Sequence, residues 1–304
     1  MRWVVVVFGL TACRFNFFEK TSTTDAPQPS GDALPDSLGL DSIPMGPFGT
    51  PATVANINDP TYTDDDPALT EDMLEIYFDS DRPAGAAAAM GDIFVSTRTS
   101  TVAPWSTPTL VTELASTSDD STPDLSPDGL TMYFGSDRLS AGNRDLFVTT
   151  RPDRASPWSV PQRIAELATT QDDSGACQSA DGLTLIFQSA RSGSGDLFIT
   201  TRASTSDPWS PPVVVPGLDS PMEESQHWCN RDLTVIYFSR YNGSNHDIWM
   251  TSRPNPSSAF APAVEVSELT TIYDDADPWL SPDLRTMYFF SRKSGNGDIF
   301  VTTR

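Results

Sequence analysis

Between residues 48 and 304 the apolar residues come in short runs rather than at helical spacing. Runs such as "EIYF" from Glu75, "TMYF" from Thr131, "TLIF" from Thr184, "VIYF" from Val235 and "TMYFF" from Thr286 are rich in aromatic and β-branched residues. Pro-Asp-Gly, Ser-Asp-Arg or Gly-Asn-Gly segments bound them, which predicts strands ended by tight turns. No segment keeps a 3.6-residue apolar period over about a dozen residues, so helix is predicted to be scarce.

The runs belong to a repeat of about 50 residues. Its core reads "PALTEDMLEIYFDSDR" from Pro67, "PDLSPDGLTMYFGSDR" from Pro123, "ACQSADGLTLIFQSAR" from Ala176, "HWCNRDLTVIYFSR" from His227 and "PWLSPDLRTMYFFSR" from Pro278. A second element follows each time, as in "GDIFVSTR" ending at Arg98 and "GDIFVTTR" ending at Arg304. An aromatic-x-x-Pro element comes next, at Trp105, Trp158, Trp209 and Phe260. Four short strands in each unit of about 50 residues is the arithmetic of a β-propeller blade, and the expected fold is an all-β, five-bladed propeller.

The fifth unit has no aromatic-x-x-Pro element after it. One stands ahead of the first unit instead, in "FGTPATVANI" from Phe48 to Ile57. Residues 48–57 are therefore expected to complete the last blade beside Asp298 to Thr303 and to close the ring, removing an open β-edge.

"LSPDGLTMYFGSDR" followed by "DLFVTTR" resembles the TolB-type, WD-repeat-like propeller repeat of exported bacterial proteins, over roughly residues 48 to 304. The first unit departs from it at Thr70-Glu71-Asp72-Met73, the fourth at Asn230-Arg231-Asp232-Leu233. The resemblance implies an envelope protein that engages a protein or peptide partner across the channel mouth.

Acids recur in two places. Asp72, Asp128, Asp181, Asp232 and Asp283 share the turn joining the first two strands of each unit, where a carboxylate accepts from turn N–H groups; their expected role is structural. A second set precedes the innermost strand: Asp64, Asp65 and Asp66, then Asp119 and Asp120, Asp172 and Asp173, Glu223 and Glu224, Asp274 and Asp275. Arg82, Arg138, Arg191, Arg240 and Arg292 are expected on the same face. Each arginine would pair with a neighbouring acid and lock adjacent blades. Surplus carboxylates would form a ring able to take Ca²⁺ or a basic partner.

Residues the repeat does not share are where a ligand would be read. His227, Trp228, Trp279 and Asp124 fall on the innermost strands and are candidates for binding at the channel mouth, with inter-blade packing the alternative for both tryptophans. Cys177 and Cys229 lie one register apart and point to opposite faces of ideal strands. Packed free thiols are expected of them, ahead of a disulfide or a metal site shared with His227.

Composition narrows the partners. The formal net charge of -22, from 41 acidic against 19 basic side chains, repels nucleic acid and anionic lipid surfaces. At the N-terminus a short apolar run, Trp3 to Leu10, leads into Leu10-Thr11-Ala12-Cys13, which resembles the lipobox of bacterial lipoproteins. That implies residues 1–13 as a signal with Cys13 lipidated, and residues 14–47, rich in Pro, Ser, Thr and Asp, as a flexible tether. The expected location is the periplasm or outer membrane, with the membrane reached only through the lipid.

Catalytic signatures are sparse. No Gly-x-Ser-x-Gly elbow, phosphate loop or His-Glu-x-x-His occurs, and His227 and His246 are the only histidines. Five-bladed propellers do host glycosidases, whose carboxylate pair should break the repeat. Glu71, Glu75, Glu265 and Glu268 are exceptions to the repeat, but they fall near turns or outer strands. The expectation is a non-catalytic, monomeric binding or scaffolding propeller with no cofactor beyond Ca²⁺ at the acidic ring; the alternatives are a carbohydrate-binding or glycoside-cleaving propeller and a Ca²⁺-dependent adhesin.

Overall fold

The computed structural model describes residues 46–83, 91–218 and 220–304. The expected signal, Cys13 and nearly all of the expected tether lie outside the described residues. Five four-stranded antiparallel sheets are arranged as a five-bladed β-propeller. Blade 1 holds Asp64–Leu69, Glu75–Ser80, Asp92–Thr97 and Thr109–Leu110; blade 2 holds Asp120–Leu125, Thr131–Ser136, Asp145–Thr150 and Gln162–Arg163. Blade 3 holds Asp173–Gln178, Thr184–Ser189, Asp196–Thr201 and Val213–Val214; blade 4 holds Glu224–Cys229, Val235–Tyr241, His246–Ser252 and Val264–Glu265. Blade 5 holds Asp275–Leu280, Thr286–Ser291 and Asp298–Thr303, with Ala52–Thr53 as its outer strand. Among the described residues the one helical piece is a 3₁₀ turn at Arg292–Ser294.

The turn chemistry explains why each hairpin forms. Ser126 Oγ donates to Asp128 Oδ1 at 2.6 Å, and the same oxygen accepts from Leu130 N at 3.0 Å. Ser179 with Asp181 and Ser281 with Asp283 repeat the pair at 2.6 Å, and Thr70 with Asp72 does so at 2.7 Å. In blade 4 Asn230 takes the serine's place, accepting from Thr234 N and Val235 N, while Asp232 accepts from Thr234 Oγ1 at 2.7 Å. The Ser179 hydroxyl holds the Asp181 carboxyl below its ordinary range, and Ser281 does the same for Asp283.

Each aromatic-x-x-Pro element is pinned by the arginine that ends the preceding strand. Arg98 stacks over Trp105 at 4.1 Å, Arg151 over Trp158 at 4.4 Å, Arg202 over Trp209 at 4.2 Å and Arg253 over Phe260 at 4.3 Å. The fifth stack joins the two ends of the chain, with Arg304 over Phe48 at 4.3 Å. Around it Ala52 pairs with Val301 and Thr53 with Phe300. Gly49 N donates to Thr303 O at 2.8 Å, Val54 N to Ile299 O at 3.0 Å, and Thr302 Oγ1 to Gly49 O at 2.7 Å. The N-terminal strand thus completes the last blade.

The core lies between blades rather than at the axis. Phe78, Phe134, Phe187, Phe238 and Phe289, one from each second strand, are almost fully buried. Two corrections come from these interfaces. Cys177 of blade 3 and Cys229 of blade 4 form a disulfide, with Cα atoms 6.0 Å apart, rather than remaining free thiols. Opposite strand faces within one blade become facing surfaces between neighbours, because each blade lays one side of its sheet on the other side of the next. The bond also rules out a metal site on these two sulfurs and His227. Glu75, outside the repeat, is an inter-blade anchor, paired with Arg151 at 2.8 Å and Arg154 at 2.7 Å.

Two outcomes are expected. Deleting residues 48–57 accelerates amide exchange across Asp298–Thr303 while leaving the third strand of blade 3 protected; equal protection in blade 5 would overturn the closure. Reducing the disulfide, which spans 52 residues, lowers unfolding stability by roughly 2–4 kcal/mol, read from the denaturant midpoint in parent and Cys177→Ser proteins.

Candidate functional site

Two features at opposite ends of the central channel stand out, both built on the innermost strands. At the end where those strands begin, the acids and arginines meet as pairs. Arg138 reaches Asp120 at 2.6 Å, Arg191 reaches Asp173 at 2.8 Å and Arg240 reaches Glu224 at 2.9 Å, while Arg82 pairs with Asp64. Each pair closes within its own blade rather than between blades. Arg82, Arg138 and Arg191 also donate to the carbonyls of Ile57, Leu114 and Leu167, tying down the chain that enters from the blade before. Their guanidiniums lie over the paired rings of the second and third strands, 5.0 to 5.3 Å from the centroids.

Arg240 and Arg292 sit earlier along their hairpins. Arg240 stands on the strand opposite Glu224, and Arg292 turns to Asp274 at 3.2 Å, leaving Asp275 to Thr271. Of the outer acids, Asp119 and Asp172 share Arg144 at 3.6 and 3.5 Å, Asp274 also contacts His246, and Glu223 stands exposed at the rim.

The carboxylates without a cation are deeper. Strand pairing sets Asp65 opposite Asp79 in blade 1, where the other blades place Ser121 opposite Gly135, Ser174 opposite Gln188, Ser225 opposite Ser239 and Ala276 opposite Phe290. The next residue begins a β-bulge. It takes positive φ at Asp66 (47°), Thr122 (54°), Gly175 (44°) and Asp277 (55°), a conformation Asp tolerates better than most side chains. The bulge brings Asp66, Thr122, Gly175, Gln226 and Asp277 to the channel wall, so two adjacent blades, 5 and 1, set carboxylates there where the others do not.

Oxygens of Asp65, Asp66 and Asp79 all lie within 4.8 Å of one another. Asp79 accepts from Thr122 N at 3.3 Å, and Asp277 Oδ1 is buried with no hydrogen-bond partner among the described residues. Burial, then the charge of Asp66, pushes the Asp65 carboxyl up to about 7. Burial, then the neighbouring carboxylates, raises Asp79 and Asp277 well above the usual range. Asp66, Asp79 and Asp277 were not legible as a set. Laying the five inner strands in register shows them as acids where the repeat has small or neutral residues.

The channel itself is narrow, a space of about 40 Å³, room for a few waters. His227, Trp228, Trp279 and Asp124 all line it, so the four are brought together. Both tryptophans are buried in the inter-blade core, at 7% and 4% exposure. His227 Nε2 lies 3.1 Å from Ile186 O, and burial pushes its pKa down to about 4, so the ring is neutral. Asp124 Oδ2 is buried without a partner, and burial pushes this carboxyl up to about 7.

At the hairpin end Trp228 and Trp279 also line a second cavity, of about 660 Å³. Its wall includes Glu71, Asp181, Asn230, Arg231, Asp232 and Leu233. Arg231 of blade 4 crosses the channel end, with Nε 2.9 Å from Glu71 Oε1 of blade 1 and a second nitrogen donating to Leu125 O of blade 2 at 3.0 Å.

No protein-family model matches the chain, and no match is found among curated proteins. Solved structures do match. A family 117 glycoside hydrolase from the marine bacterium Zobellia galactanivorans is 13% identical, with 84% of this chain and 90% of that chain covered and a TM-score of 0.59. An endo-arabinase from Bacteroides thetaiotaomicron is 12% identical, with 83% and 97% covered and a TM-score of 0.58. TolB from Acinetobacter baumannii is 17% identical, with a TM-score of 0.48; 78% of this chain is covered, and the match spans about half, 54%, of that TolB. At these identities the likeness is one of fold. It corrects the expectation of a chain without catalytic activity to this extent: glycoside hydrolases are among the strongest structural matches, so the fold is one that enzymes share.

Titration of Asp124 gives a test with a defined sign. Its folded carboxyl holds a proton up to about pH 7, whereas the unfolded group, at 3.8, has released it. The parent therefore loses stability as pH rises through that window. His227 acts in the other direction, its depressed folded pKa removing stability as pH falls from 6.5 towards 4, and it is common to parent and variant. Between about pH 5 and 7.5, Asp124→Asn gains roughly 1–2 kcal/mol relative to the parent; a constant difference in urea midpoints across this range would refute the burial of a protonated Asp124.

Proposed function

We propose that the chain is a carbohydrate-active five-bladed propeller that takes a saccharide in the hairpin-end cavity. The observation that carries this reading is the cavity itself. Its volume of about 660 Å³ falls within the range of small-ligand sites, roughly 300–1,000 Å³. Trp228 and Trp279 line it, and Arg231, Asn230, Glu71 and Asp232 supply donors and acceptors suited to hydroxyl groups. The likeness of fold to a family 117 glycoside hydrolase and to an endo-arabinase supports the same class.

Glycoside cleavage requires one protonated and one ionised carboxyl group. Asp124 lines the adjoining channel, beside the two tryptophans that channel and cavity share, and is the acid in this proposal; Glu71, which lines the cavity and pairs with Arg231, is the carboxylate. The Cys177–Cys229 disulfide supports an oxidising, exported setting.

The test is a panel of arabino-, xylo- and cello-oligosaccharides, read by calorimetric binding and by release of new reducing ends. One class binds the parent and fails to bind Arg231→Ala, and Asp124→Asn keeps binding while losing cleavage. Absence of binding to every member, or binding that survives Arg231→Ala, would overturn the assignment and leave a protein or peptide partner as the competing proposal.

A further inference from the structure

We propose that Asp65, Asp66, Asp79 and Asp277 form a divalent-cation site at the acid end of the channel, bridging blades 5 and 1. The site is independent of the saccharide reading, since it lies at the other end of the channel.

The geometry suits a hard cation. Three carboxylate oxygens no more than 4.8 Å apart all fit within about 2.8 Å of a common point, close to the oxygen distances of Ca²⁺ and looser than those of Mg²⁺. Asp277, only 7% exposed, adds an oxygen with no partner among the described residues, and one of its neighbours in charge is Asp66. A buried carboxylate oxygen left unpaired is expensive, and an ion removes that penalty. The adjoining channel space of about 40 Å³ leaves room for waters to complete the coordination.

The nearby cationic side chains are committed elsewhere. Arg144 sits between Asp119 and Asp172 and donates to Ser121 Oγ at 3.2 Å, and Arg292 is held by Asp274. Among the described residues no ion pair includes Asp65, Asp66, Asp79 or Asp277. The arrangement is also prepared by the backbone, because the same bulge conformation presents Asp66 and Asp277 from adjacent inner strands. The exposed acids of the rim, by contrast, are each satisfied by an arginine or by solvent and have no such convergence.

The full chain, stripped with chelator, is titrated with CaCl₂ and with MgCl₂ by calorimetry, and its melting temperature is followed alongside. Ca²⁺ binds at a single site and raises the melting temperature by several degrees, with Mg²⁺ weaker. Asp66→Asn and Asp277→Asn each lose the heat of binding and the thermal shift. In chelator, both variants melt at or above the parent, because each removes a carboxylate from a repulsive cluster, and this shows that they fold. Asp172→Asn, at the rim, keeps the parent response. Absence of binding by either ion, or binding that persists in Asp66→Asn and Asp277→Asn, would overturn the site.

Discussion

Everything in this molecule rests on the pairing of Ala52–Thr53 with Asp298–Thr303. A propeller is stable because each blade buries both faces against neighbours, and only the two blades at the chain's ends lack that guarantee. The fifth Arg–aromatic stack, Arg304 on Phe48, shows how closure is enforced: it reuses the contact that fixes every other outer strand, so the closing strand is held by the same chemistry as its four counterparts. Inner strands then converge on a channel too narrow for a polymer, and chemistry is confined to its two ends.

The two ends have different characters for reasons traceable to the repeat. At the hairpin end the turns are fixed by Ser–Asp pairs, and the departures at Thr70 to Met73 and at Asn230 to Leu233 put Glu71 and Arg231 where they meet across the axis. At the acid end the repeating arginines satisfy the repeating acids, so charge accumulates only where a blade departs from the rule. Blades 5 and 1 depart together, and those two blades form the seam closed by the N-terminal strand.

Blade number, strand content and closure were legible because turn residues, Tyr-Phe runs and aromatic-x-x-Pro spacing recur in the same order. The arginine–acid pairs were legible in kind but not in detail, since Arg240 and Arg292 stand at shifted hairpin positions. The disulfide is not legible from alternation within one sheet, because neighbouring blades put opposite faces together at Cys177 and Cys229. The channel carboxylates were hidden by an offset: Thr63 occupies the outer-acid position of blade 1, so Asp64, Asp65 and Asp66 look like one more acidic pair when two of them belong to other positions. A bulge, invisible to simple alternation, then turns Asp66 into the channel.

A ring closed by a segment from the far end of the chain has no covalent memory of which copy supplied that segment. The backbone partners of Ala52–Thr53 on Asp298–Thr303, and the seat of Phe48 under Arg304, are the same in every molecule. What keeps the closure within one molecule is the short connector from Thr53 to Asp64, which holds the strand beside its own last blade at high effective concentration. The disulfide between blades 3 and 4 lies away from that seam, so those two blades stay joined whether or not the ring is closed.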